Sequence, residues 1–178
     1  MIERVLIAGA GGQGIMLLGK VLAEAALLED KFVTWLPAYG PEVRGGAAHC
    51  MVTISNDEIG SPYIIKADTL IIMNQMSLDK FKSRLNNNGL MIINSSLTQP
   101  DKNIKTKTVS GRFTDAAIKL GNIKVANMAA LGMYLAHKKT VGLKNIEKVM
   151  QRMAPKDKPE LLKVNLEALK KGMDCKNG

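Results

Sequence analysis

The hydrophobic positions of the first two thirds of the chain form short continuous runs, separated by longer segments with helical spacing. Such runs, roughly four to eight residues long, are typical of buried strands. The segment after the first run places Ile15, Leu18 and Leu22 near one face of a helix. Because strands and helices alternate, the pattern predicts a doubly wound, Rossmann-like α/β sheet that is mostly parallel. The predicted strands cover residues 5–8, 32–36, 47–55, 68–73, 90–94 and 106–109, and the first two predicted helices cover residues 15–28 and 77–86.

The last third of the chain is predicted to be helical, with helices at residues 125–137, 143–153 and 160–171. A length of 178 residues fits one domain, because domains of this size bury a substantial core. We therefore expect a single domain over residues 1–178. Its α/β core is expected at about residues 1–122 and its helical part at about residues 123–178.

Helix boundaries are predicted from polar residues that can cap them. Ser77 is expected to cap the second helix, and the cluster at residues 86–89, Asn-Asn-Asn-Gly, is expected to end it. Thr114 or Asp115 is expected to cap the helix that follows the sixth strand.

The composition argues against several classes of protein. With 46% hydrophobic residues the chain is too apolar to be disordered, and no apolar run reaches the length of a membrane span. The charged pair Glu3-Arg4 and the strand after it do not resemble a signal peptide. We therefore expect a cytoplasmic protein that has no membrane partner.

The formal net charge of +9 raises the possibility of nucleic-acid binding. However, most of the lysines are spread over residues 80–176 among acidic neighbours, and the chain has only three Phe, three Tyr and one Trp on which bases could stack. We expect no nucleic-acid partner. A solvated basic face, or a surface that meets an anionic cofactor or an acidic protein, accounts for the charge.

A glycine-rich stretch follows the first predicted strand and precedes the first predicted helix. Gly9, Gly11 and Gly14 match the spacing G-x-G-x-x-G, with Gly12 and Gln13 between them. Gly9 is expected to make a tight turn, Gly11 to let a ligand approach the backbone, and Gly14 to let the helix pack closely on the strand. The free N–H groups at the start of the helix are expected to face an anion.

The second strand lacks the acidic residue that a nicotinamide-binding unit needs. That residue follows the second strand and holds the ribose hydroxyls, whereas Pro37, Ala38 and Tyr39 stand there in this chain. Glu29 and Asp30 precede the strand. A loop shaped for another phosphate, or for a partner chain, is therefore favoured over NAD bound in the usual manner.

The loop after the second strand combines turn signals with charge. It contains Tyr39, Glu42 and Arg44 between the pairs Gly40-Pro41 and Gly45-Gly46. Because ligands of open parallel sheets bind at the carboxyl edge, this loop is expected to lie beside the glycine-rich stretch. Arg44 can hold a phosphate or carboxylate with two hydrogen bonds. The alternative is a surface ion pair between Arg44 and Glu42, which would contribute little.

An asparagine, a histidine and the two cysteines are further candidates for a functional role. Asn127 lies among alanines in a predicted helix and needs a hydrogen-bond partner, most often the backbone. His49 and Cys50 are adjacent in a predicted strand, so they point to opposite faces and are not expected to form a catalytic pair. The two cysteines, Cys50 and Cys175, form no C-x-x-C motif, and neither a disulfide framework nor an iron–sulfur site follows from them.

Four motifs, taken together, resemble the gamma subunit of 2-oxoacid:ferredoxin oxidoreductases. The resemblance covers nearly the whole chain, and the order of the two glycine-rich loops makes it specific. The length is similar to that of the separate gamma subunit of 2-oxoglutarate or branched-chain enzymes. The motifs are Gly9-Ala-Gly-Gly-Gln-Gly-Ile15, Tyr39-Gly-Pro-Glu-Val-Arg-Gly-Gly-Ala47, Ala126-Asn-Met-Ala-Ala-Leu-Gly132 and Lys158-Pro-Glu-Leu-Leu-Lys-Val-Asn-Leu-Glu-Ala-Leu-Lys-Lys-Gly172.

This resemblance implies a multi-subunit enzyme that decarboxylates a 2-oxoacid, 2-oxoglutarate being favoured, and passes the acyl group to coenzyme A and the electrons to ferredoxin. It implies thiamine diphosphate on alpha and beta subunits and iron–sulfur clusters on the beta or a small, ferredoxin-like delta subunit. The gamma chain would hold neither cofactor alone, would have no catalytic residue or metal site of its own, and would be inactive without partners. Its expected contribution is to close the active site and place coenzyme A. The residues implied for this are Gly9, Gly11, Gly12, Gln13, Gly14, Tyr39, Gly40, Glu42, Arg44, Gly45, Gly46 and Asn127.

Two other classes of function stay open at this stage. One is a stand-alone NAD- or flavin-binding protein of Rossmann-like fold, against which the missing acidic residue argues. The other is a purely structural subunit whose loops bind partner chains and no ligand.

Overall fold

The first strand, β1 (Ile2–Ala10), lies inside the sheet and is buried on both faces. Val5 and Ile7 point to one face and Leu6 and Ala8 to the other, and all four are fully buried. The structure, a computed structural model, describes residues 1–38, 47–99 and 106–175. The remaining strands are β2 (Phe32–Ala38), β3 (Ala47–Ser55), β4 (Ala67–Ile72), β5 (Leu85–Asn94) and β6 (Lys107–Gly111).

Helices cover both faces of this sheet, as the alternation of elements predicted, but unequally. One face carries a large core, to which five helices contribute residues. The other face carries a smaller core, to which α2 alone contributes among the described helices. The helices are α1 (Ile15–Leu27), α2 (Gln75–Phe81), α3 (Phe113–Lys119), α4 (Ala126–His137), α5 (Leu143–Met153) and α6 (Pro159–Asp174), with 3-10 turns at Lys82–Arg84 and Ile123–Val125. The architecture is therefore the predicted doubly wound α/β fold with a helical last third. The division into a core ending near residue 122 and a helical part stays a prediction.

The sheet has the strand order β2-β3-β1-β4-β5-β6. Strands β1, β4, β5 and β6 are parallel, whereas β3 runs antiparallel to both β1 and β2. The sheet is mostly parallel, as expected, but β3 separates the first two strands. Burial explains this order: residues 50–55 of β3 are all buried, as in a central strand, whereas β2 is only partly buried and contains Pro37. Proline donates no ladder hydrogen bond and is suited to an edge strand.

Three helix boundaries differ from the sequence predictions. The cap of α2 is Asn74, whose Oδ1 accepts a hydrogen bond from the Ser77 N–H at 2.9 Å, so Ser77 lies inside the helix. The α2 helix ends at Phe81, and the cluster at residues 86–89 belongs to β5. Helix α3 begins at Phe113 and has no side-chain cap, because Thr114 and Asp115 lie within its first turn.

Two helices of the last third are held together by close backbone packing. Helix α6 packs on α4 where Gly132 faces the carbonyl of Leu169 and Gly172 faces the carbonyl of Ala129. A Cβ at either glycine would overlap that carbonyl oxygen. The two glycines therefore set the distance between the helices.

Candidate functional site

The turn between β1 and α1 has the glycine geometry of an anion-binding loop. We call residues 11–14 the glycine turn. Gly12 has a φ of 87° and Gly14 a φ of 70°, values that side chains rarely adopt. The predicted tight turn is centred on Gly11 and Gly12, because the Gln13 N–H donates to the Ala10 carbonyl at 3.2 Å. Gly9, to which the sequence assigned it, lies in β1 and pairs with Ala48 of β3.

Gly9 is required by packing. A Cβ on Gly9 would lie 2.6 Å from Gln13 Oε1, 2.7 Å from Ile15 Cδ1 and 2.9 Å from Met73 Cβ. These distances are shorter than real Cβ contacts, so this position leaves room only for hydrogen. Gly9 thus lets the turn fold back onto the ends of β1 and β4.

The Gln13 side chain links the turn to the ends of two neighbouring strands. Its Oε1 accepts a hydrogen bond from the Ala10 N–H at 2.7 Å, and its Nε2 donates to the Met73 carbonyl at 3.4 Å. Asn94, at the end of β5, donates to the same Met73 carbonyl at 3.1 Å. Its amide therefore fixes the turn against the ends of β1 and β4. The expected contact of Gln13 with a ligand stays a prediction.

Gly14 is held by Asn127 of α4. The Asn127 Nδ2 donates to the Gly14 carbonyl at 3.0 Å, and the Asn127 Oδ1 accepts from the Met128 N–H at 2.8 Å. The sequence predicted a backbone partner for this buried amide, and that prediction is confirmed. Gly14 was expected to allow close packing on the strand, but the side chain it makes room for is Asn127, whose amide a Cβ on Gly14 would overlap.

Helix α1 begins immediately after the turn with no side-chain cap. Gly14 is its N-cap residue, and its carbonyl accepts the first helical bond from the Leu18 N–H at 3.0 Å. The amides of residues 15–17 therefore have no helical partner, as at every helix start. They carry the positive end of the helix dipole, which favours an anion near the turn.

A pocket of about 260 Å³ opens at this turn. We call it the glycine pocket. One wall is the glycine turn, and the others come from the first turn of α3, the 3-10 turn before α4, and the segment after β5. Its described lining residues are Gly11, Gly12, Gln13, Leu97, Thr114, Ile123, Lys124 and Ala126. The sequence placed the glycines here but did not identify Leu97, Thr114, Ile123 or Lys124, because these residues come from distant parts of the chain and match no motif.

The expected second loop lies outside the described residues. This applies to Tyr39, Gly40, Glu42, Arg44, Gly45 and Gly46. Its flanking residues are described: Ala38 ends β2, and Ala47 begins β3 as the partner of Ala10. Both belong to the same edge of the sheet as the glycine turn, and the predicted position of the loop beside that turn stays a prediction. However, β3 lies between the two strand ends, so the neighbour of β1 on this side is an antiparallel strand.

His49 and Cys50 point to opposite faces of β3, as predicted. The His49 ring packs 4.8 Å from that of Phe81 on the α2 face. Cys50 is fully buried on the other face, where its Sγ donates to the Ile15 carbonyl at 3.5 Å. Burial raises the pKa of the Cys50 thiol from 9.0 to about 12, although contacts with Trp35 and Gly19 lower it slightly. A protonated, buried thiol is a poor nucleophile.

Residues 1–38, 47–99 and 106–175 contain neither a candidate membrane span nor a candidate metal site. No helix there is long and apolar enough to cross a membrane. No group of three or more His, Cys, Asp or Glu side chains there could hold a metal ion.

The chain matches one family model and several characterised proteins. The model of the pyruvate ferredoxin/flavodoxin oxidoreductase family matches residues 4–175. Subunit KorC of 2-oxoglutarate synthase from Methanocaldococcus jannaschii is 33% identical over 98% of this chain and 94% of KorC. Ketoisovalerate oxidoreductase subunit VorA from Methanothermobacter marburgensis is 34% identical over 96% of this chain. The chain spans only 36% of the length of VorA.

Two solved structures are similar to the fold over almost the whole chain. The gamma subunit of keto/oxoacid ferredoxin oxidoreductase from Geobacter sulfurreducens PCA superimposes with a TM-score of 0.82 at 29% identity, covering 97% of each chain. The 2-oxoglutarate:ferredoxin oxidoreductase from Magnetococcus marinus, solved with 2-oxoglutarate, coenzyme A and succinyl-CoA bound, gives a TM-score of 0.90 at 21% identity. That match covers 98% of this chain and 31% of the other.

Proposed function

This chain belongs to the pyruvate ferredoxin/flavodoxin oxidoreductase family, and from that premise we propose that it is the gamma subunit of a 2-oxoacid:ferredoxin oxidoreductase. In the assembled enzyme it closes the active-site entrance and places coenzyme A for acyl transfer. The partners are alpha and beta subunits, with a ferredoxin-like delta subunit in complexes that contain one, and the electrons leave to ferredoxin. The cytoplasm is the proposed location.

The observation that carries this proposal is the glycine pocket. An uncapped helix start, a turn with two glycines at positive φ, and an open space of about 260 Å³ meet at the carboxyl edge of a doubly wound sheet. Ligands of such sheets bind at this edge, and phosphates bind at uncapped helix starts. Coenzyme A carries phosphates, so the pocket suits its anionic part.

The proposed role of each subunit follows from which subunits hold the cofactors. Thiamine diphosphate, on the alpha and beta subunits, supplies the decarboxylation chemistry, and iron–sulfur clusters on the beta or delta subunit carry the electrons. This chain contributes orientation: the glycine turn, held by Gln13 and Asn127, offers a fixed surface to the thioester-forming substrate. A fixed surface lowers the entropic cost of bringing coenzyme A to the acyl group.

The favoured 2-oxoacid is 2-oxoglutarate. The KorC match supports this choice because it extends over nearly the full length of both chains, whereas VorA is much longer than this chain. The purified complex should therefore turn over 2-oxoglutarate faster than 2-oxoisovalerate or pyruvate. A complex that prefers either of those acids would contradict the assignment of substrate but not that of subunit.

A first experiment tests whether the chain depends on partners. The purified chain alone should not reduce viologen, whichever 2-oxoacid is supplied, and activity should appear when candidate alpha and beta subunits are co-expressed with it. Viologen reduction by the chain alone would contradict the proposal. Size exclusion should show a stable assembly of the three subunits, and we propose that residues 39–46 lie in its interface.

A second experiment tests the role of Arg44 in binding coenzyme A. Arg44→Ala should raise the coenzyme A KM of the assembled enzyme about tenfold, because a lost charge-assisted hydrogen bond costs roughly 1.5–3 kcal/mol. Arg44→Lys should restore only part of it, since lysine lacks the planar fork, and the 2-oxoacid KM should change little. A mutant that assembles fully and keeps normal coenzyme A kinetics would leave Arg44 a structural role only.

The two alternative functions, a stand-alone nicotinamide-binding protein and a purely structural subunit, make different predictions. A nicotinamide-binding protein would bind NADH at micromolar concentration in a fluorescence titration, whereas this proposal predicts no such binding. A purely structural subunit would show normal coenzyme A kinetics in every assembled variant of the glycine pocket and of Arg44.

A further inference from the structure

We propose that Lys124 is the cation that binds a phosphate group of the ligand in the glycine pocket. This inference rests on the proposed placing of coenzyme A and adds a residue that the glycine-rich motif does not contain. Lys124 is the only charged residue among the described residues that line the pocket. It lines the pocket together with Gly11, Gly12 and Gln13 of the glycine turn.

The backbone of Lys124 is fixed by its neighbours. It lies in the 3-10 turn that connects α3 to α4, where its N–H donates to Asn122 Oδ1 at 3.1 Å. The Val125 N–H donates to the Asn122 carbonyl, also at 3.1 Å, and Gly121, with a φ of 80°, turns the chain out of α3. The Lys124 side chain therefore extends from a well-defined 3-10 turn that lines the pocket.

The charges around Lys124 leave its ammonium group available. It makes no ion pair with any side chain in the described part of the chain. The nearby acid of α3, Asp115, is paired with Arg112 at 2.5 Å. Thr114, the other polar side chain on this wall, has its hydroxyl oxygen bonded to the Asn94 amide at 2.8 Å. An anion in the pocket would therefore meet one unpaired positive charge.

The rest of the pocket suits a ligand with an uncharged part. Leu97 and Ile123 are apolar side chains that remain 45% and 57% exposed at its rim, and Ala126 lines its wall. Apolar walls exclude water and strengthen the attraction between a phosphate and an ammonium group. Gly11 and Gly12 of the glycine turn line the same pocket, so a phosphate that Lys124 binds would lie close to the start of α1 as well.

The test compares three variants in the complex assembled with its alpha and beta subunits. Lys124→Gln removes the charge and keeps most of the length, whereas Lys124→Arg keeps the charge. Lys139→Gln is the matched control, because Lys139 is also exposed and follows the other end of α4. Lys124→Gln should raise the coenzyme A KM about tenfold, with kcat and the 2-oxoacid KM unchanged. Lys124→Arg should restore most of the affinity, and Lys139→Gln should behave as the wild type.

Repeating the assay with 3′-dephospho-coenzyme A identifies the phosphate. If Lys124 binds the 3′-phosphate, the effect of Lys124→Gln disappears with this analogue. If Lys124 binds the pyrophosphate, the effect persists. Either result supports the assignment of Lys124 to a phosphate.

Two results overturn the inference and differ in what they say about the proposed function. An unchanged coenzyme A KM in Lys124→Gln, together with a raised KM in Arg44→Ala, refutes the role of Lys124 and leaves coenzyme A binding by this subunit in place. If neither variant changes the coenzyme A KM in a fully assembled complex, both the inference and the coenzyme A role fail. An equal rise in Lys139→Gln would show a general effect of charge and also refute the role of Lys124.

Discussion

The amide of Asn127 donates a hydrogen bond to the carbonyl of Gly14 at 3.0 Å, across 113 residues of sequence. This contact joins the N-terminus of α4 to the N-terminus of α1. Because Asn127 is 1% exposed, its amide has no access to bulk water as an alternative partner. The contact therefore fixes the end of the glycine turn to α4.

Asn127→Ala should destabilise the protein and loosen the glycine turn. The loss of a buried hydrogen bond should cost about 1–3 kcal/mol in the free energy of unfolding. Urea unfolding of the isolated chain measures this cost. Asn87→Ala is the control, because Asn87 is exposed and surface changes usually stay within about 0.5 kcal/mol. Equal stability of the two variants would contradict a supporting role for Asn127.

Gly14→Ala and Gly12→Ala should differ in cost, although both glycines have positive φ. At Gly12 an added Cβ meets nothing within 4 Å, so only the backbone penalty of roughly 1–2 kcal/mol is expected. At Gly14 the Cβ also overlaps Asn127, and the cost should be larger. In the Asn127→Ala background the cost of Gly14→Ala should fall towards that of Gly12→Ala. A double-mutant cycle measures this coupling, and strictly additive costs would contradict the overlap.

Gly132→Ala and Gly172→Ala should separate α4 from α6. Alanine normally favours a helix over glycine by about 1 kcal/mol, yet here its Cβ would overlap a carbonyl oxygen of the facing helix. Net destabilisation is expected, since overpacking costs typically 1–3 kcal/mol. Gly60→Ala is the control because its Cβ meets nothing within 4 Å. Thermal unfolding should give a lower Tm for the two helix variants only.

Cys50 should react slowly with a thiol reagent in the folded protein. At pH 8 its raised pKa of about 12 leaves little thiolate, and the side chain is fully buried. Cys175 is exposed, so Ellman's reagent should label one thiol quickly and the second only on unfolding. In Cys175→Ser no fast thiol should remain. The same pKa shift predicts a stability contribution that is complete below pH 9 and is lost as the pH rises towards 12.

Glu29→Gln should weaken the connection between the end of α1 and the start of α5. Glu29 accepts hydrogen bonds from the Gly142 N–H at 2.6 Å and Asn145 Nδ2 at 3.0 Å, and it pairs with Lys31 at 2.8 Å. Burial raises the pKa of the Glu29 carboxyl, but these hydrogen bonds outweigh burial and lower it below 4.5. At pH 7 the variant should lose about 1–3 kcal/mol of stability.

The pH dependence separates Glu29 from an ordinary surface carboxylate. Because its folded-state pKa is lowered, the stability it contributes is present above pH 4.5 and is lost as the pH falls through the folded value. The wild type and Glu29→Gln should therefore converge in acid. Glu24→Gln is the control, since its partner Lys20 is 3.8 Å away and nearly half exposed, and it should change stability by less than about 1 kcal/mol.

The amino-acid sequence by itself determined the elements around the glycine turn. The apolar run of β1, the glycines after it and the helical spacing of α1 are local features. Each of them depends only on residues that are close together in the sequence. The same holds for the helices of the last third, where residues 143–153 were predicted with the observed bounds. Asn127 was recognised because a buried amide needs a partner wherever it lies.

Only the tertiary structure decided which elements meet. The position of β3 between β1 and β2 depends on pairing between strands that are distant in sequence, although the proline of β2 was a local sign of an edge strand. The partner of Asn127 and the four distant walls of the glycine pocket are likewise contacts made through space. Lys124 carries no motif and looks like any surface lysine in the sequence. It becomes a candidate for binding phosphate because the fold brings it into the lining of the same pocket as the glycine turn.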